Sequence, residues 1–264
     1  MLNFPMPYEH ELIYSTVARA GIRLAFESPK QLLDAVFKNR QVIATVDLPC
    51  HLNAIVNQYS EEQLSLQNII YKHTLFPIYA PFVPETRRQQ CFKWMANISQ
   101  GSVHLSLGIN ASRVPVIHKL RYCPQCLKEQ ALHKGEFYWL RLWQIQGACC
   151  PQHGRLVEST IDLRSLHRHD FIVPSDVFCT EWNQLPATSD ELFISSKLIE
   201  LLSTPPFVSP SYEQWTMFYN ELARRNNCIR GQNQITFDQI LEKISLRWPQ
   251  EFLRQYHLDD LASE

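Results

Sequence analysis

The sequence predicts a mainly α protein: a helical N-terminal domain with helix-turn-helix-like elements, a Cys3His zinc-finger unit with short strands, then a helical C-terminal region. Three observations predict it. Apolar residues recur at spacings of three and four along most of the chain, the period of a helix with one buried face. Capping signatures in which Ser is followed three residues later by Gln punctuate those segments. Two ligand pairs, Cys123-Pro-Gln-Cys126 and Cys150-Pro-Gln-His153, stand 23 residues apart near the middle. The expected division is 1–112 for the helical domain, 113–160 for the zinc unit and 161–264 for the C-terminal region.

Composition narrows the function. With 45% apolar and 11% aromatic residues among 264, the chain can bury one large or two moderate cores. Seven glycines are too few for a glycine-rich nucleotide-binding enzyme or a many-turned β fold. A net charge of −1 gives no global basic signature, yet 113–155 carries seven Lys or Arg against two Glu. Arg113, Lys119, Arg121, Lys128, Lys134 and Arg141 are therefore candidate phosphate contacts. The plainer reading is a solvated face balanced by acidic segments elsewhere. The chain shows no phosphate-loop, nucleophile-elbow or HExxH motif and no readable carboxylate pair, so a binding or scaffold role is expected rather than an enzyme. No secretory leader or membrane span is readable, and the uneven cysteines suit a reduced, cytoplasmic protein.

The N-terminal elements follow in order. Pro5 and Pro7 among Leu2, Phe4, Met6 and Tyr8 predict an extended segment that docks on its own domain or on a partner. Residues 9–26 read as a helix with Leu12, Ile13, Val17, Ala20 and Leu24 on one face. Ser28 as N-cap, Pro29 at the first helical position and Gln31 start a second helix, with Leu32, Leu33, Val36 and Phe37 inward. The pair suits either a helix-turn-helix, with Lys30, Gln31, Lys38, Asn39 and Arg40 as base readers, or two packed core helices. Pro49 opens a short helix carrying Leu52, Ile55 and Val56. Ser60, Glu61, Glu62 and Gln63 read as another capping box, for a helix through Ile69, Ile70 and Tyr71. Residues 73–84 are a proline-punctuated aromatic loop whose rings belong to the core rather than to a base-stacking platform. Pro84 starts a helix with Phe92, Met95 and Ile98 inward, ending near Gly101, and 103–109 is a short apolar segment.

The middle unit carries the chemistry. Two side chains three positions apart on one turn can point at one atom, and a spacer of this length can fold back to bring the second pair to it. Cys123, Cys126, Cys150 and His153 are the expected ligands of a tetrahedral, structural Zn2+, with Pro124 and Pro151 stiffening the turns. Cys149 competes with Cys150, but Cys150 keeps the two-residue spacing to His153. A redox CxxC would want a thioredoxin-like βαβ context, which is not visible. Residues 127–133 should be helical, the run from Phe137 to Trp143 should pack behind the metal, and 155–160 suits a strand. His167, His169 and Cys179 are a second possible metal set, lacking a matching CxxC; locally bonded loop histidines are the simpler reading.

In the C-terminal region, 189–202 is an amphipathic helix and Pro205-Pro206 breaks the chain. Ser211 and Gln214 cap a helix with Trp215, Phe218, Tyr219 and Leu222, and 235–248 and 249–261 make two more.

The opening NFPMPYEHELIYSTVARAGI, SPKQLLDAVFKNR, HTLFPIYAPFVP and the pair RYCPQC…CCPQHG together resemble the TniQ/TnsD family of bacterial transposon target-selection proteins. The likeness covers most of 1–160 and is greatest to TnsD-type members; HRHDF and the SYEQWTMFY helix extend it more weakly. It implies a non-catalytic adaptor that binds a double-stranded target DNA site, or alternatively a CRISPR effector. Such an adaptor recruits the AAA+ ATPase TnsC and through it, indirectly, the transposase. By the same resemblance Leu2, Asn3, Phe4, Met6 and Tyr8 with the first helix are candidates for the ATPase contact, the zinc-bearing part faces DNA or effector, and the protein works at the bacterial nucleoid. TnsD-type members usually run well beyond 264 residues, so a short member or an N-terminal part is expected. A zinc-dependent DNA-processing enzyme is the competing class; it predicts an open coordination position.

Overall fold

The computed structural model describes residues 3–60, 63–98, 102–112, 114–205, 207–231 and 234–259. The expectations for Leu2, Glu61, Glu62, Gly101, Arg113, Pro206 and Leu261 lie outside these residues.

Helix α1 (Ile13–Arg23) begins four residues later than its periodicity suggests. The preceding turn is pinned to the middle of the chain: Glu11 pairs as a β-bridge with Leu140, and the Leu12 amide donates to the Trp139 carbonyl at 2.9 Å. In α2 (Pro29–Phe37) the Ser28 hydroxyl accepts from the Gln31 amide, but the Gln31 side chain accepts from Glu27 rather than closing on Ser28. After α3 (Leu52–Val56), α4 (Leu66–His73) starts on Ser65, which accepts from the Asn68 amide at 3.1 Å. The expected capping pair Ser60–Gln63 does bond, at 3.1 Å, yet it closes a turn ahead of the helix. The 73–84 segment is a second correction. Pro77 sits in the first turn of α5 (Phe76–Tyr79), and a 3-10 turn, Ala80–Phe82, follows. A proline at such a position loses no helical hydrogen bond, so here prolines start helices rather than forbid them.

Helix α6 (Glu85–Ala96) buries Cys91 and Met95, whereas Ile98 is 59% exposed just beyond its end rather than inward. The apolar 103–109 segment becomes α7 (Ser102–Ser106) and the 3-10 turn Ile109–Ala111. Strand β1 (Lys119–Tyr122) leads into α8 (Pro124–Lys134) and pairs antiparallel with β2 (Val157–Asp162), Arg121 opposite Glu158 and Tyr122 opposite Val157. The C-terminal region holds α9 (Ser189–Ser203), α10 (Tyr212–Arg225), α11 (Phe237–Arg247) and α12 (Gln250–Gln255). α9 and α10 start on complete capping boxes, Thr188 with Glu191 and Ser211 with Gln214. A small hairpin, β3 (Ile229–Arg230) with β4 (Gln234–Ile235), precedes α11. Strands of two residues carry no alternation, so no periodicity announces them.

Two cores result, and α1 belongs to both. Ile13, Val17 and Ala20 join Leu33, Ile69 and Phe76 in the first. Leu12 and Tyr14 join Leu120, Trp139, Trp143 and Leu202 in the second. A buried ion network fastens the junction. Arg19, 2% exposed, donates to both Glu11 carboxylate oxygens, to Glu136 beyond α8 and to the Met6 carbonyl. The 112/113 division therefore does not separate two independent cores.

Candidate metal centre

Cys123 is the N-cap of α8, its sulfur receiving the Cys126 amide at 3.5 Å with Pro124 at the first helical position. The second pair sits on a tight loop in which Cys150 and Gly154 exchange both backbone hydrogen bonds, at 2.8 and 3.0 Å. Gly154 is required there: its φ is +116°, and a Cβ would lie 2.4 Å from the Leu185 carbonyl oxygen. Trp139 and Trp143 are buried behind the centre.

These turns bring the Cys123, Cys126 and Cys150 sulfurs and His153 Nδ1 within 4.8 Å of one another. The Cys126–Cys150 sulfurs are 3.6 Å apart, and Nδ1 lies 3.4, 3.3 and 3.5 Å from Cys123, Cys126 and Cys150. Zinc–ligand bonds of ordinary length at tetrahedral angles predict edges of about 3.8 Å between sulfurs and about 3.6 Å from sulfur to nitrogen. The donors fit that ion in size and in softness. Their mutual hydrogen bonding also shows why a cation suits them. Cys126 holds the Cys123 thiol low, while Cys123 pushes Cys126 and Cys150 up, so the three ionise together only with a positive charge between them.

The surroundings orient the donors. His153 turns Nε2 outward, 3.3 Å from the Glu129 carboxylate one turn along α8 from Cys126. The Gln184 side-chain amide donates to the Cys123 sulfur at 3.3 Å and to the Arg155 carbonyl at 2.9 Å. Cys149 points the other way: its sulfur accepts from the Ser195 hydroxyl on α9 at 3.1 Å, and its amide donates to the same oxygen. His167, His169 and Cys179 do not converge. His169 Nδ1 bonds the Val42 carbonyl, His167 lies by Asp170, and Cys179 is buried in the second core. Among the described residues, Cys123, Cys126, Cys150 and His153 form the one group close enough to share an ion.

The candidate phosphate contacts part company. Lys128 and Lys134 are exposed on α8, and Lys119 on β1 is partly exposed beside Glu158. Arg141 is a correction. It is 2% exposed, donates to the Tyr71 and Thr74 carbonyls, and burial lowers its pKa to about 10. Arg121 is another: its guanidinium donates to the Trp143 and Ile145 carbonyls, and burial pulls its pKa down to about 10. Near the N-terminus, Asn3 is exposed and Met6 is 44% exposed. Phe4 is buried in the first core against Tyr59, and Tyr8 stacks under Arg19 and donates to Glu136, so neither presents a free face. Sequence reading missed Glu129, Gln184 and the Arg19 network. Glu129, three residues past Cys126 on one helix, carried a usable signal; the other two depend on tertiary contact.

A TniQ family profile matches residues 2–157. The transposon Tn7 transposition protein TnsD of Escherichia coli is 40% identical over 264 aligned positions, covering 94% of this chain and 51% of that protein. The chain thus spans about half the length of that curated relative.

Proposed function

This chain belongs to the TniQ family, and from that premise we propose that it is a non-catalytic target-site selection adaptor for DNA transposition, TnsD-like in binding double-stranded target DNA. The observation that carries the reading is the 40% identity to a TnsD transposition protein across nearly the whole of this chain. In this reading the Cys3His centre holds Zn2+ structurally. Four protein donors fill the tetrahedron and leave no position for substrate or activated water, which favours a scaffold over a zinc-dependent nuclease. The zinc would fix α8 to the 150–154 loop; Cys123, Cys126, Cys150 and His153 would hold it and Glu129 would orient the imidazole. Lys119, Lys128 and Lys134 supply phosphate contacts. Asn3 and Met6 supply the contact to a TnsC-like AAA+ ATPase, through which the transposase is engaged. The three-part division of the chain keeps its functional sense, with recruitment toward the N-terminus and target contact around the metal.

Two measurements test this. Duplex DNA binding titrated against salt should weaken steeply, and Lys128→Gln should reduce the log–log slope by about 1. A flat salt response would remove the DNA reading. Co-elution with the ATPase should be lost in Met6→Glu, which leaves the buried Phe4 in place. Full retention of the complex would end the N-terminal assignment.

A further inference from the structure

A groove of about 780 Å3 opens where the N-terminal helices meet the metal unit. Its floor is apolar, built from Leu75, Ile78, Leu120, Ile145, Leu163 and Leu198. Ile43 and Val116 stand on its rim, 54% and 56% exposed. The groove runs beside the edge of β1 that faces away from β2. At Arg121 that edge is already occupied by a surrogate for a strand: the Gln144 side-chain oxygen accepts from the Arg121 amide at 3.1 Å, and its nitrogen donates to the Arg121 carbonyl at 2.7 Å. Backbone groups alternate sides along a strand. The Leu163 amide bonds the His118 carbonyl at 2.7 Å, so His118 faces the β2 side while the Ile117 and Lys119 backbone groups turn to the other edge, where Ile117 lines the groove. The Ile117 backbone has no hydrogen bond among the described residues. Pro115, without an N–H, ends the edge on the far side.

The rim adds a charge preference. Arg164, His167 and Arg168 border the groove; Arg164 pairs with Asp162 at 2.7 Å and His167 lies 3.5 Å from Asp170, whereas Arg168 is exposed and, among the described residues, bonds His169 but no carboxylate. The acid of the lining, Asp47, is held by His104 at 2.9 Å. An apolar floor, an edge with open backbone groups and a rim arginine without a carboxylate, Arg168, select one kind of occupant. We infer that this groove captures an extended segment of a protein partner in which apolar and acidic residues alternate, added as a short strand along Ile117 and Lys119. Backbone pairing gives it direction, the apolar side chains enter the floor and the acidic ones meet Arg168. A nucleic acid would match the rim but not the floor. The inference stands apart from the DNA and ATPase readings above, because its test contains neither.

The test uses the full chain with zinc bound and a fluorescent hexapeptide alternating glutamate with valine, followed by anisotropy. Micromolar binding that weakens with salt is expected. Val116→Asp, at an exposed position that leaves the fold intact by circular dichroism, should weaken it at least about tenfold by setting a like charge on the rim. N-methylation of the peptide at one of the two alternating sets of amides should abolish binding, and at the other set leave it. Three results would each overturn the inference. They are no binding at millimolar peptide, equal binding of a same-composition peptide with its glutamates in one block, and chain self-association that Val116→Asp removes, which would put a second copy in the groove.

Discussion

A carboxylate 3.3 Å from the outer nitrogen of His153 favours a proton on that nitrogen, which would leave Nδ1 to ligate. Glu129→Gln should lower zinc affinity about tenfold to a hundredfold, read by competition with a chromophoric chelator, with the helical circular dichroism retained. The adjacent thiols should separate cleanly in the same assay: Cys150→Ser loses the metal and Cys149→Ser keeps it, because Cys149 faces Ser195. His73 makes a prediction of a different kind. Burial pushes its imidazole down to about 4 from 6.5, with Nδ1 at 2.9 Å from the Glu11 carbonyl. Between those values the unfolded chain binds a proton that the folded one refuses. Stability from this group is thus complete above about pH 6.5 and is lost as pH falls toward about 4. Unfolding free energies from urea titrations at about pH 7 and about pH 5 should differ by about 2 kcal/mol more in the parent chain than in His73→Gln. The four clustered donors were legible because spacing alone sets them. The buried roles of Arg121 and Arg141 were not, since charge counted along a sequence says nothing about which guanidinium is enclosed.

At the level of elements, Gly154 decides whether the second ligand pair forms. Gly154→Ala would drive a methyl against the Leu185 carbonyl at a φ that side chains avoid. The exchange between Cys150 and residue 154 should break, and zinc release followed with a metallochromic dye should be at least about tenfold faster than in the parent. Helix starts were readable where a cap acts through neighbours in sequence, as at Ser28 and Ser211. They misled where the chain is anchored elsewhere. The beginning of α1 is set by a bridge to Leu140, and the Ser60–Gln63 signature closes a turn while Ser65 caps the helix that follows. Proline was read as a breaker in 73–84, whereas its missing N–H costs nothing in a first turn.

Across the whole molecule, the helical class and the central metal unit followed from period and spacing, but the interlocking of the parts did not. It rests on the start of α1, where Ile13 and Val17 enter one core and Leu12 and Tyr14 the other, and on Arg19 reaching Glu11 and Glu136 together. A fragment of residues 113–264 should therefore fail to fold cooperatively even with zinc. Poor amide dispersion in its NMR spectrum is expected, against a well-dispersed spectrum for the intact chain. The shared helix also sets an order in time. α1 leaves the ribosome early, yet the Trp139 carbonyl that receives the Leu12 amide is made much later. At ordinary rates of synthesis that interval is roughly ten seconds. For that long the nascent chain carries Leu12 and Tyr14 without their cover, and its most interior helix is among the last to be sealed.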